Sequence, residues 1–107
     1  MNSFDTTPLP WSPRPVTVAL AQFAMSASPA ENLDTAISYI QQAADRKAHI
    51  VCLPELFRSP YFCVNEKSST DYAEAVPGKV GEALCKEAAS RNIAIVTGSV
   101  YERTPSG

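Results

Sequence analysis

One carboxylate stands where a buried strand is expected to end, and it is the residue of this sequence best placed to do chemistry. The apolar run Ile50–Leu53 is followed by Pro54 and then by Glu55. Four consecutive apolar residues predict a strand buried on both faces, as in a parallel sheet. Because Pro54 has no N–H to donate, the strand should end there. Glu55 would then lie just beyond the carboxyl end of the strand, where ligands bind in open α/β sheets.

The residues after Glu55 indicate what its carboxylate could do. Leu56 and Phe57 follow directly, and we expect these apolar side chains to shield the carboxylate from water. Partial desolvation disfavours the charged form of a carboxylate and suits it to work as a general base. A glutamate at the rim of a sheet can equally cap a turn or face solvent. Position alone therefore leaves both interpretations open.

The three cysteines, Cys52, Cys63 and Cys85, form no C-x-x-C pair. An odd number without paired spacing argues against a disulfide framework and against a structural zinc site. Cys63 is close enough in sequence to Glu55 to be considered as a nucleophile, but a reactive thiol needs a cationic setting and none is visible beside it. We expect each cysteine to behave as a small buried apolar side chain, and we expect no metal site.

The elements that must position Glu55 follow a strand-helix-strand-helix-strand pattern. The first helix has an N-terminal signature in Ser28, Pro29 and Glu31, which fit an N-cap, a first helical position and a capping box. A short strand-helix-strand connection predicts parallel strands with a right-handed crossover. The fold class is therefore α/β. The predicted strands are Val16–Ala24, His49–Leu53 and Ile93–Val100, and the second predicted helix is Lys79–Arg91.

The loop after Glu55 supplies the candidate substrate contacts. Residues 58–70 have no periodicity, and loops at this edge of a sheet carry sites, so we expect Tyr61 to contact substrate. Tyr61 and Phe62 could instead cover the core, and Arg58 is a weaker candidate. Glu102, the second carboxylate of this edge, should face solvent or pair with an arginine.

Two further residues have predicted roles outside catalysis. Gly98, near the end of the third strand, predicts a bend or close packing there. His49, the single histidine, lies at the entry of its strand. It is therefore at the opposite end from Glu55 and cannot pair with it.

Composition excludes several functional classes. The chain has 107 residues, of which 45% are hydrophobic and 19% charged, which fits one small globular domain. A formal net charge of -2 gives no signature of nucleic-acid or anionic-membrane binding. No apolar run approaches the roughly 18 residues of a membrane helix. Residues 1–15 contain four prolines and no apolar core, which predicts a mobile tail rather than a secretory signal and hence a cytoplasmic protein.

The string Val51-Cys52-Leu53-Pro54-Glu55-Leu56-Phe57, with Tyr61 shortly after it, resembles the first catalytic motif of the nitrilase (carbon–nitrogen hydrolase) superfamily. The resemblance runs from about Val16 to Gly107. Members use a glutamate, a lysine and a cysteine, so it implies that Glu55 is the general base. It also implies an α-β-β-α sandwich, of which this chain would supply a βαβαβ portion. The implied enzyme is a homo-oligomer that acts on a small amide or carbamoyl compound without a metal or organic cofactor.

Finer expectations follow from the same resemblance. The string Leu53–Cys63 is similar to the N-carbamoylputrescine amidase branch, which serves polyamine biosynthesis, with a β-ureidopropionase-like carbamoyl hydrolase as the alternative. No segment resembles the family's lysine or cysteine motif. We therefore expect residues 16–107 to be an incomplete N-terminal part of such a domain, inactive alone. A non-catalytic α/β binding module of flavodoxin or Rossmann type is disfavoured, because residues 24–28 contain no glycine.

Overall fold

The structure, a computed structural model, describes residues 13–61 and 72–106 and follows the predicted order of elements. These are β1 (Val18–Leu20), α1 (Pro29–Asp45), β2 (Ile50–Cys52), α2 (Lys79–Arg91) and β3 (Ala94–Val96). The α/β class and the βαβαβ order are therefore confirmed. All three strands are shorter than predicted, since apolar residues continue on either side of the segments that pair.

Helix α1 begins where the sequence chemistry places its start, and α2 has the predicted bounds. The Ser28 hydroxyl accepts a hydrogen bond from the Glu31 backbone N–H at 3.3 Å, and Pro29 is the first helical residue. The return half of the capping box runs through Ser26, whose hydroxyl accepts from Ser28 N–H at 3.1 Å and donates to Glu31 at 3.0 Å. Helix α2 has the predicted bounds and ends at Asn92, whose φ of 52° is a left-handed cap.

The three strands form one parallel sheet in the order β1-β2-β3. Both crossovers move in the same direction along the sheet, so right-handed connections place both helices on the same face. Accordingly, α1 and α2 contact each other. The core lies between this helical layer and the sheet, and its buried members are Ala21, Ala36, Ile40, Ala43, Val51, Leu53, Phe57, Leu84 and Ile93.

The other face of the sheet is apolar and uncovered by the described residues. Leu20, Cys52 and Val96 are neighbours in register on this face, and Leu20 is 78% and Val96 52% exposed. This face of β1 is therefore exposed in the described part of the chain, because both helices lie on the opposite face. Within residues 13–61 and 72–106, no helix has the length and apolar character that crossing a bilayer requires.

Some predictions fall on residues that the structure does not describe. The tail assigned to residues 1–15 is described only from Pro13 onward, and residues 13–15 are exposed. Phe62 and Cys63 also lie outside the described residues. The division of the chain at residue 15 stays a prediction.

Candidate active site

Glu55 lies at the carboxyl edge of the sheet, directly after the central strand. The ladder continues one residue beyond β2, where Leu53 N–H donates to the Val96 carbonyl at 2.9 Å. Pro54 cannot continue the ladder, and the chain turns over residues 55–58. The position predicted for Glu55 from the apolar run and from Pro54 is the one that the fold gives it.

The surroundings of Glu55 differ from the expectation of an apolar shield. Phe57 is only 2% exposed and belongs to the core, while the Glu55 residue itself is exposed. Leu56 adopts a φ of 52°, an uncommon conformation for a bulky residue, and this sharpens the turn. Phe57 therefore anchors the turn from below and does not cover the carboxylate. The expected shielding by Leu56 and Phe57 is wrong for the described part of the chain.

Gly98, which follows β3, lies close to Glu55 and has a φ of +73°. A methyl group in place of its hydrogen would lie 3.1 Å from Glu55 Cα, 3.2 Å from Glu55 Oε2 and 3.2 Å from the Pro54 carbonyl oxygen. The backbone of Gly98 is thus packed against the backbone and the carboxylate of Glu55. The predicted close packing at Gly98 is present.

Glu55 has no ion-pair partner among residues 13–61 and 72–106. Glu102 is also exposed and likewise forms no ion pair within the described residues. Its backbone forms a bridge with Glu74. The expectation that Glu102 faces solvent agrees with this arrangement.

The loop after Glu55 is tied to the segment before α2 by a charged pair. The Arg58 guanidinium donates to the Glu74 carboxylate, and both side chains are mostly buried, with 25% and 20% exposure. The Arg58 Nε is buried without a partner in the described part of the chain. Arg58 thus ties this loop to the segment before α2, and its contact with a substrate stays a prediction. Sequence reasoning missed Glu74 because its partner lies 16 residues away and no spacing rule connects them.

Asn32 ties the same loop to helix α1. Its side chain is 2% exposed, and its amide nitrogen donates to the carbonyl oxygens of Ser26 at 2.9 Å and Arg58 at 2.8 Å. Its amide oxygen accepts from the Ser26 N–H at 2.8 Å. One buried side chain therefore joins the entry of α1 to the turn that carries Glu55.

We expect Asn32→Ala to lower the free energy of unfolding by about 2–3 kcal/mol, since buried backbone groups would lose their partner. Chemical denaturation of the complete protein measures this loss. Ser38→Ala is the matched control, because Ser38 lies exposed on the same helix and accepts only a weak 3.3 Å bond from Gln42. Equal stability of Asn32→Ala and Ser38→Ala would contradict the role assigned to Asn32.

Tyr61, the predicted substrate contact, ends the described part of the loop. It is 63% exposed, and it lies six residues after Glu55 in the sequence. Its contact with a substrate stays a prediction. A cavity of about 280 Å³ lies beside this edge, between α2 and the loops that follow β2 and β3. Its walls include Phe57, Val80, Leu84 and Val100, but not Glu55, so the cavity is not centred on the candidate base.

The cysteines of the described chain offer no partner for Glu55 that resembles a catalytic pair. Cys52 is half-buried in β2, and Cys85 is exposed on α2, so the expectation that Cys85 is buried is wrong. Neither is disulfide-bonded. Residues 13–61 and 72–106 contain no cluster of three or more histidine, cysteine or acidic side chains that could hold a metal ion. His49 accepts a 2.9 Å hydrogen bond from Thr17 N–H at the opposite edge, as its position predicts.

Comparisons with known proteins find similar proteins over most of the chain. The chain is 40% identical to "Omega-amidase NIT2" of Xenopus tropicalis and 38% identical to that of Homo sapiens, each over 85 residues, which are 79% of this chain and 30% of the relative. The protein of the same name from Danio rerio is 36% identical over a segment of the same size. The chain thus spans about 30% of the length of these curated relatives.

These relatives are named as omega-amidases, so they do not support the N-carbamoylputrescine amidase branch expected from residues 53–63. The superfamily itself is shown by a longer match. Residues 17–107 fit the sequence profile described as "Carbon-nitrogen hydrolase". This interval starts within one residue of the start expected from the sequence and includes Glu55. The chain belongs to the carbon–nitrogen hydrolase family.

Proposed function

We propose that this chain is the N-terminal part of an amidase that hydrolyses non-peptide carbon–nitrogen bonds, with Glu55 as its general base. The observation that carries the proposal is the exposed carboxylate of Glu55, which lies just after the central strand of a carbon–nitrogen hydrolase chain. A general base must be within reach of the proton that it takes. The lysine and the cysteine of the family mechanism would come from the remainder of the complete protein.

The proposed reaction has two halves that use the same carboxylate. Glu55 takes the proton of the cysteine thiol, and the resulting thiolate attacks the amide carbonyl carbon. A lysine ammonium stabilises the negative oxygen of the tetrahedral intermediate. The carbon–nitrogen bond then breaks, the protonated Glu55 gives its proton to the leaving nitrogen, and ammonia and a thioester remain.

In the second half, Glu55 takes a proton from water, and the oxygen of that water attacks the thioester carbon. The carbon–sulfur bond breaks, the cysteine recovers its proton, and a carboxylic acid leaves. No electrons are transferred to or from an external group. Glu55 must therefore move a proton at the same place twice, which requires a fixed carboxylate.

The proposed substrate class is a short acid with a terminal amide. It is supported by the relatives named as omega-amidases, since that similarity extends over 85 residues and not over one motif. The competing substrate is N-carbamoylputrescine, which the string Leu53–Cys63 favours. The two differ in charge, because the first carries a carboxylate at the end where the second carries an ammonium.

We expect the complete protein to release ammonia from the monoamide of succinic or glutaric acid with a higher kcat/KM than from N-carbamoylputrescine. A tenfold difference in this ratio corresponds to about 1.4 kcal/mol of transition-state binding, which recognition of one charged group readily supplies. An enzymatic ammonia assay with both compounds measures it. A preference for N-carbamoylputrescine would reverse the substrate assignment and leave the amidase proposal intact.

A further inference from the structure

The packing of Gly98 against Glu55 points to a contact that fixes the position of the Glu55 carboxylate. Cys52 and Val96 are partners in the parallel register, and Leu53 donates the last ladder hydrogen bond to Val96. Two residues further along, Pro54 lies beside Gly98, and a Cβ at residue 98 would be 3.2 Å from the Pro54 carbonyl oxygen. Among the described residues, no backbone hydrogen bond joins residues 54–55 to Gly98. Close packing of the backbones is the interaction that remains.

Glycine is required at position 98 for two separate physical reasons. Its φ of +73° lies in the region that residues with a side chain rarely adopt. A Cβ at this position would also meet Glu55 Cα at 3.1 Å and the Pro54 carbonyl oxygen at 3.2 Å. Both of these contacts are with backbone atoms, which cannot turn away as the end of a side chain can.

We infer that Gly98 is a positioning residue for Glu55. Because residue 98 has no side chain, the catalytic carboxylate can occupy the space beside its backbone. Glu55 Oε2 lies 3.2 Å from the point where a Cβ of residue 98 would stand. A side chain there would displace the carboxylate, and it would also shift residues 54–55 by a few tenths of an ångström. This inference rests on the proposed function only in calling Glu55 catalytic.

The exposure of Glu55 leaves few other contacts that could hold its carboxylate in place. Among the described residues no ion pair holds the carboxylate in place, and Leu56 and Phe57 do not cover it. The turn is fixed from below by Phe57 in the core and from the side by Gly98. The first contact sets the path of the backbone, and at the second any Cβ would crowd the carboxylate.

The experiment compares Gly98→Ala with Gly81→Ala in the complete protein. A Cβ at Gly81, on an exposed position of α2, would meet nothing within 4 Å, so this control adds the same methyl group without a clash. We expect Gly98→Ala to lower kcat by about tenfold while KM changes less, because small misplacements of a catalytic group are expensive in rate. Gly81→Ala should remain within about twofold of the wild type, as ordinary surface substitutions do.

A second variant separates the steric effect from backbone strain. Asparagine tolerates the left-handed conformation better than alanine does, yet it also carries a Cβ. Gly98→Asn should therefore fold when Gly98→Ala does not, and it should lose kcat in the same way. A folded Gly98→Asn with the kcat of the wild type would overturn the inference.

A crystal structure of the folded Gly98 variant decides the point independently of activity. The expected result is a displaced Glu55 carboxylate beside an otherwise unchanged sheet; an undisplaced carboxylate would overturn the inference. In the complete wild-type protein, failure to hydrolyse any amide would refute the proposed function instead. The displacement in the crystal would then still decide whether Gly98 positions Glu55.

Discussion

Glu55→Gln should lower the turnover of amides by the complete protein by about 10²- to 10⁴-fold, which is the usual contribution of a general base. The substitution replaces one carboxylate oxygen by an amide nitrogen and keeps the size of the side chain. The altered residue is exposed and has no ion-pair partner in the described chain, so we expect little change in the free energy of unfolding. The loss should therefore fall on kcat and leave the melting temperature nearly unchanged.

Glu102→Gln is the control variant for Glu55→Gln. Glu102 is the other exposed carboxylate near this edge, and its bridge to Glu74 involves backbone groups that the substitution leaves in place. We expect Glu102→Gln to keep turnover within about twofold of the wild type, as surface substitutions usually do. Near wild-type turnover in Glu55→Gln, or a larger loss in Glu102→Gln, would show that Glu55 is not the base.

The second large effect concerns the 107-residue chain expressed by itself. We expect it to release no ammonia from amides, because Glu55 would have no activated nucleophile to deprotonate. We also expect a broad or low-temperature melt, or aggregation. The sheet presents Val18, Leu20 and Val96 to solvent at 50%, 78% and 52% exposure, and exposed apolar patches and strand edges favour association.

One substitution tests whether this open face is covered in the complete protein. Leu20→Ser should reduce aggregation of the 107-residue chain, because Leu20 is the most exposed of these apolar side chains. In the complete protein the same change should cost about 1.5–3 kcal/mol of stability if a second layer buries that leucine. Static light scattering and thermal melting measure the two effects. A sharp, cooperative melt of the isolated wild-type chain together with amide hydrolysis would contradict both expectations. Cys63 would then again be a candidate nucleophile.

The sequence predicts the elements of this fold well where local chemistry decides them. Ser28 and Pro29 define the start of α1, and Asn92 terminates α2 after the predicted Arg91. The run Ile50–Leu53 with Pro54 after it predicts both the central strand and the edge where Glu55 lies. These predictions succeed because capping, proline and apolar runs act over a few neighbouring residues.

The surroundings of Glu55 depend on contacts between distant segments, and no local pattern encodes them. From the sequence, the Phe57 side chain could cover the Glu55 carboxylate or enter the core. In the structure it belongs to the core, which lies between the helices and the sheet. Gly98 predicts a bend, but its contact with Glu55 requires the register of β2 and β3. The pairing of Arg58 with Glu74 likewise joins two loops that the sequence does not connect.

The most direct test of the account is the release of ammonia by the complete protein, dialysed against a chelator and supplied with the monoamide of glutaric acid. We expect one ammonia for each carboxylic acid formed, with no added metal or organic cofactor. The same assay should be run with N-carbamoylputrescine and with a simple nitrile. Release of ammonia from a terminal amide would support the proposed reaction, whereas a folded protein that releases none from any of the three compounds would contradict it.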